Sequence, residues 1–69
     1  MTVIAYGTVH FDRVTMTWAN APSVVHQLDP DMGIYGVIQA CEDAEIEGFQ
    51  IVIRPTPDAT RYAVLTEQE

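Results

Sequence analysis

The first 18 residues contain two stretches with the pattern of β-strands. Residues 2–11 read TVIAYGTVHF and are rich in β-branched and aromatic side chains, which are enriched in strands. After a tight connection at Asp12, residues 13–18 alternate between apolar and polar side chains, as a half-buried strand does. Both faces of the first stretch carry apolar residues near its start. We therefore expect that strand to be central or covered on both sides, and paired with the second strand as a hairpin.

Residues 24–48 contain the pattern of an amphipathic helix. Residues 24–28 fit either a short strand or one helical turn, and we favour the strand. The Asp-Pro-Asp sequence at 29–31 predicts the start of a helix, because Asp caps helices, Pro is tolerated in the first turn and a second acid suits the helix dipole. Gly48 is expected to end the helix. Apolar residues recur between these signals at helical spacing: Ile34, Val37, Ile38, Cys41 and Ala44.

Two glycines leave an alternative open for this segment. Gly33 and Gly36 each weaken a helix interior by roughly 1 kcal/mol relative to alanine. The competing interpretation is an extended segment at 33–39 that pairs with residues 24–28 through a turn. The helix remains the favoured prediction.

The C-terminal third predicts a second hairpin, formed by residues 49–55 and 60–67. Pro55 and Pro57 end its first strand, because proline cannot donate a hydrogen bond to the sheet. Phe49, Ile51 and Ile53 share one face of that strand. The whole chain, residues 1–69, is thus expected to form one small α+β domain. Its fold would be an antiparallel β-sheet of four or five strands with a single α-helix packed on one face, in the order ββ(β)αββ.

Composition narrows the class of protein. The 69 residues include 10 acidic and three basic side chains, for a formal charge of −7, and 48% are hydrophobic. Enough apolar surface is present to argue against disorder, and three arginines are too few for direct binding to nucleic acid. The single cysteine, Cys41, excludes an intramolecular disulfide and is expected to be a small buried hydrophobe. With no apolar run long enough for a membrane span and no secretion signal, we expect a cytoplasmic protein.

No pattern typical of an enzyme is present, so no catalytic residue, cofactor or metal is predicted. A nucleophile elbow, a phosphate-binding glycine loop and a serine–histidine motif are all lacking. His10 and Asp12 would project to the same side of a strand and supply two metal ligands or an interfacial site. No third ligand is indicated by spacing, so we favour surface polar residues for both.

The distribution of charge supplies the strongest functional signal. Residues 29–48 contain no base and carry six of the acids: Asp29, Asp31, Glu42, Asp43, Glu45 and Glu47. Such a run either keeps a small protein soluble or forms a docking surface for a basic groove. Trp18, Met16 and Tyr6 form a second candidate patch, in which Trp18, at the end of its strand, is a possible apolar anchor for a partner and Met16 is expected in the core.

These features predict a non-enzymatic binding module. Its partner would be a protein with a basic surface, and the module would act as an inhibitor that blocks a basic or nucleic-acid-binding site. Phage-encoded inhibitors of host defence nucleases, anti-CRISPR proteins included, are commonly short and acidic. Size and charge alone suggest that class, which would act in the host cytoplasm. The alternative is a homo-oligomeric structural or assembly subunit whose sheet edges pair with copies of itself.

Overall fold

A computed structural model describes residues 1–67 and contains a five-stranded antiparallel sheet with one helix. The strands lie in the spatial order β3-β2-β1-β5-β4, so β1 is central, as its sequence predicts. This arrangement confirms the expected α+β fold with five strands. The elements follow one another along the chain as β1 (Thr2–Val9), β2 (Val14–Trp18), β3 (His26–Leu28), α1 (Ile34–Asp43), β4 (Phe49–Pro55) and β5 (Thr60–Thr66).

The core lies between α1 and one face of the sheet. Val37 and Cys41 of the helix are fully buried against it. In β2, Val14 and Met16 are buried in the core and Trp18 packs against it, as predicted, although Thr17 on the other face is also buried. The shared face predicted for the second hairpin is confirmed, since Ile51 pairs with Val64 and Ile53 with Tyr62. The buried apolar side chains of the core are Ala5, Val14, Met16, Val37, Cys41, Tyr62 and Val64.

The helix begins later than the sequence predicts. Residues 29–33 form turns, in which the Asp31 N–H donates to Asp29 Oδ1 at 2.9 Å and the Met32 N–H donates to the Asp29 carbonyl at 3.1 Å. Asp29 therefore accepts hydrogen bonds within a turn and does not cap α1. Gly33, with φ 57°, precedes the helix, and no side chain caps it. The extended alternative for residues 33–39 is wrong, because residues 34–39 belong to α1.

Two other boundaries differ from the sequence prediction. The first strand ends at Val9, and Phe11 lies 96% exposed in the β1–β2 turn. The helix ends at Asp43, so Gly48 does not terminate it and Ala44 is exposed. Gly48 has φ 68° and lies directly before β4.

The side chain of Tyr62 connects three strands at the centre of the sheet. The Tyr62 hydroxyl of β5 crosses Gly7 of β1 and donates a hydrogen bond of 2.6 Å to the Thr15 carbonyl of β2. Beside it, the Thr8 N–H donates to Thr15 Oγ1 at 3.3 Å. Gly7 is required here, because a Cβ at that position would overlap the Thr15 carbonyl oxygen.

Burial shifts the pKa of two ionisable side chains in the core, a thiol and a tyrosine hydroxyl. Burial raises the pKa of the Cys41 thiol from its ordinary 9.0. Burial, and secondarily the proximity of Cys41, raises the pKa of the Tyr62 hydroxyl. Both groups therefore remain protonated and neutral inside the fold at neutral pH.

We expect Gly7→Ala to destabilise the protein by roughly 2–4 kcal/mol, through overlap with Thr15 and displacement of the Tyr62 hydroxyl. Urea unfolding followed by circular dichroism would measure this loss. Gly36→Ala is the matched control, because its added Cβ meets Leu28 and Met32 side chains at an ordinary 3.6 Å. In the first turn of α1 that change should stabilise by up to about 0.5–1 kcal/mol. Equal effects of the two substitutions would contradict the close packing of Gly7 against Thr15 and Tyr62.

Stability should fall in alkaline solution as the pH rises above 9–10, the ordinary range for Cys and Tyr. A folded-state pKa above the unfolded value contributes stability that is fully present below the unfolded pKa and is lost as pH rises towards the folded pKa. Unfolding free energies measured from pH 7 to 11 would test this. Tyr62→Phe should be about 1 kcal/mol less stable at pH 7 and should depend less on pH above 10. An unchanged alkaline slope would contradict the assignment to Tyr62.

Candidate functional site

The acidic side chains singled out from the sequence are all exposed, and they fall into two groups. Asp29 and Asp31 lie in the turns before α1, while the others lie at or just after its C-terminal end. The ten-residue helix separates the two groups by about 15 Å along its axis. We call the second group the acidic flank; it consists of Glu42, Asp43, Glu45 and Glu47.

An open cleft of about 490 Å³ lies at the sheet end nearest the acidic flank. Trp18 at the end of β2 lines it, together with Ile4 of β1, Thr66 at the end of β5 and Ile46 from the segment after α1. Trp18 is half-buried and packs against the core, which leaves part of its ring open to the cleft. We call this feature the Trp18 cleft.

The acidic flank adjoins the Trp18 cleft. A smaller depression of about 240 Å³ is lined by Glu45, Ile46, Glu47 and Thr66. Because Ile46 and Thr66 also line the Trp18 cleft, the two cavities are neighbours that share a wall. The structure thus brings together Trp18, Glu45 and Glu47, which are distant in sequence, and leaves Asp29 and Asp31 at the other end of the helix.

The turn that presents Glu45 is held in a strained conformation. The Glu45 N–H donates to the Glu42 carbonyl at 2.9 Å, and the Ile46 N–H donates to the Cys41 carbonyl at 3.1 Å. These are the two hydrogen bonds of a Schellman motif, whose C′ position normally holds glycine. Glu45 occupies that position with φ 61° and is the one non-glycine residue with positive φ in the described chain. A left-handed conformation is costly for a residue with a Cβ.

The electrostatic setting of the acidic flank is also unfavourable to the fold. Glu42 and Asp43 lie in the last turn of α1, where the helix dipole is negative and no basic residue is present. Asp43 Oδ1 accepts a hydrogen bond of 3.1 Å from Gln39 Nε2, and this amide donor is uncharged. Within residues 1–67, no arginine forms an ion pair with a carboxylate. The negative charge of the flank therefore remains available to an external cation.

Sequence reasoning missed Ile4, Ile46 and Thr66 as members of the site. The β1 register shifts between Val3 and Ala5, which turns Ile4 against the core, and no sequence pattern indicates such a bulge. Ile46 sits between two acids and outside the predicted helical stripe. Of the other members of the candidate apolar patch, Met16 is buried in the core, as expected, and Tyr6 lies on the strand face opposite the core.

Metal and membrane sites receive no support in the described part of the chain. His10 and Asp12 lie in the β1–β2 connection, and residues 1–67 contain no group of three candidate ligands placed to hold a metal ion. Over the same residues, no helix is both long and apolar enough to cross a bilayer.

We expect Glu45→Gly to raise the unfolding free energy by roughly 1 kcal/mol, because glycine adopts φ 61° without a Cβ penalty. Thermal and urea unfolding would measure the gain. Glu47→Gly is the control, since position 47 has no positive φ and should gain nothing. Destabilisation by Glu45→Gly would contradict the strained Schellman geometry.

Known proteins offer no guide to the chemistry of this site. No protein-family model, no curated protein and no solved structure matches the chain.

Proposed function

We propose that this protein is a non-enzymatic binding module that docks on a basic surface of a partner protein and blocks it. The supporting observation is the position of the Trp18 cleft beside the acidic flank. In this proposal a lysine or arginine side chain of the partner enters the cleft, and the carboxylates surround its charged end.

The two cavities suit the two parts of a basic side chain. Long cationic side chains bury their aliphatic stems against apolar surface and keep the charged head in a polar environment. Trp18, Ile4 and Ile46 would contact the stem, and tryptophan is the best aromatic partner for a cation. Glu45 and Glu47 line the adjoining depression and would accept hydrogen bonds from the head group.

The unfavourable energetics of the flank also support a role in binding. Acids at the C-terminal end of a helix destabilise it by about 0.3–1 kcal/mol each, and Glu45 adds backbone strain. Helix stability alone would favour neutral or basic residues at these positions. Placing destabilising charges beside an aromatic cleft is typical of surfaces where function and stability compete.

Occupation of a basic groove would exclude other anions from it. Repeated carboxylates accelerate the encounter with a cationic surface and compete with phosphates for the same arginines and lysines. A partner that binds nucleic acid through such a groove would thereby be inhibited, as the anti-defence inhibitors of comparable size and charge are. Asp29 and Asp31 would add long-range attraction from the far end of α1.

Trp18 is the single tryptophan, so its fluorescence reports directly on the cleft. We expect a tetra-arginine peptide to change the Trp18 emission saturably and the effect to weaken steeply between about 20 and about 500 mM NaCl, because salt screens exposed charges. A tetra-glutamate peptide should have no effect. A salt-independent response to tetra-arginine would contradict the electrostatic mechanism.

A pair of charge-matched variants locates the site. The variant Glu42→Gln, Asp43→Asn, Glu45→Gln and Glu47→Gln should lose the tetra-arginine response. The control Asp12→Asn, Asp29→Asn, Asp31→Asn and Asp58→Asn removes as many charges elsewhere and should retain most of it. Equal loss in both variants would indicate attraction by net charge alone and would refute a site at the acidic flank.

A further inference from the structure

The two edges of the sheet differ in how well they are protected from pairing. One edge, β3, has three residues, and short edge strands resist further pairing. The other edge, β4, has seven residues that pair with β5 without any register shift. No described strand pairs with the outer side of β4, so its outward N–H and C=O groups have no partner within the sheet.

The middle of β4 is also apolar on both faces. Val52 is 55% exposed on the face away from α1, and Ile53 is 50% exposed on the face that carries α1. Phe49 and Ile51, at the start of β4, pack against the core, whereas Ile53 further along the same face remains half exposed. Neither a bulge nor a lysine interrupts the strand, and its one proline, Pro55, is the last residue. An edge strand with these properties pairs readily with another strand.

We propose that β4 pairs antiparallel with β4 of a second copy of this chain, about a two-fold axis through Val52. In this register each Val52 faces the partner's Val52, and each Ile51 faces the partner's Ile53. Each exposed Val52 and Ile53 then gains an apolar neighbour on its own face of the partner strand. Gln50 lies opposite the partner's Arg54, so the two arginines do not face each other. The product is a continuous ten-stranded sheet.

Two copies repel each other less at this edge than over most of their surface. Each chain carries a formal charge of −7, so two copies repel one another through most of their surfaces. No residue of β4 is acidic, and the strand contributes one arginine. It is therefore an edge along which two copies approach without facing carboxylates. An antiparallel strand is also self-complementary about a two-fold axis, so no different partner is needed to satisfy it.

This inference goes beyond the docking proposal and is independent of it. None of the residues that line the Trp18 cleft belongs to β4, so pairing leaves both clefts open. Because a strand pair buries less than a standard interface, we expect a dimer that dissociates on dilution.

Sedimentation velocity tests the proposal. Between about 10 µM and about 1 mM, the mean mass should rise from near 7.7 kDa towards twice that value. Val52→Lys places two lysines opposite each other on the axis and should keep the mass at one chain. Val25→Lys alters a valine that is 60% exposed next to β3, and it should leave the association unchanged. A wild-type chain that stays monomeric at about 1 mM overturns the proposal, as does a loss of association in Val25→Lys alone.

Disulfide trapping tests the register. With diamide as the two-electron oxidant, Val52→Cys should give a covalent dimer, since opposed residues of paired strands lie within disulfide range. Gln50→Cys should not, because its counterpart lies four residues away along the partner strand. Cys41 is buried and should not interfere. Equal trapping of both variants indicates random collision and overturns the register. The tetra-arginine response of Val52→Lys should equal that of the wild type, so failure of one proposal is distinguishable from failure of the other.

Discussion

The hydrogen bond from the Tyr62 hydroxyl to the Thr15 carbonyl is the constraint on which the rest of the structure depends. It joins β5 to β2 across the central strand, and the missing side chain of Gly7 makes the crossing possible. A small domain has few buried residues, so an interaction that joins three of its five strands constrains much of the sheet. The tyrosine ring and its neighbours also form the floor on which Val37 and Cys41 of the helix pack. The position of α1, and hence of everything at its ends, follows from this packing.

The C-terminal end of α1 concentrates features that oppose folding. Acidic residues lie at the negative end of the helix dipole, and the helix is terminated by a glutamate in a conformation that suits glycine. A 69-residue domain has little stability to spare, so such features persist only where something offsets them. The adjoining Trp18 cleft suggests that the offset is binding. In the proposed function, the backbone strain and the negative charge of the acidic flank serve binding. The buried face of the helix offsets their cost to the stability of the fold.

One ten-residue helix is too small to cover a five-stranded sheet, and both proposed surfaces arise from that shortage. Beyond the C-terminal end of the helix, the ends of β1, β2 and β5 remain partly open and form the Trp18 cleft. Beyond its side, β4 keeps apolar side chains in contact with water. A larger domain would bury these regions within one chain. Here they remain available to a basic partner at one position and to a second copy at the other.

Hydrophobic periodicity in the sequence by itself determined the α+β class, four of the strands and the faces of β2, β4 and β5, because alternation and helical spacing are local properties of the chain. It favoured the third strand and the helix, and the structure excluded the alternatives for both segments. Charge order along residues 29–48 likewise singled out exposed carboxylates. Only the tertiary structure decided that Asp29 belongs to a turn, that Glu45 ends the helix, and that Ile46 and Thr66 meet Trp18 beside two of the acids. The conformations of Asp29 and Glu45 depend on which main-chain hydrogen bonds form at the helix ends, because several residues there can pair with the same donors and acceptors. The last depends on strand order and a bulge, which bring together residues that no local pattern relates.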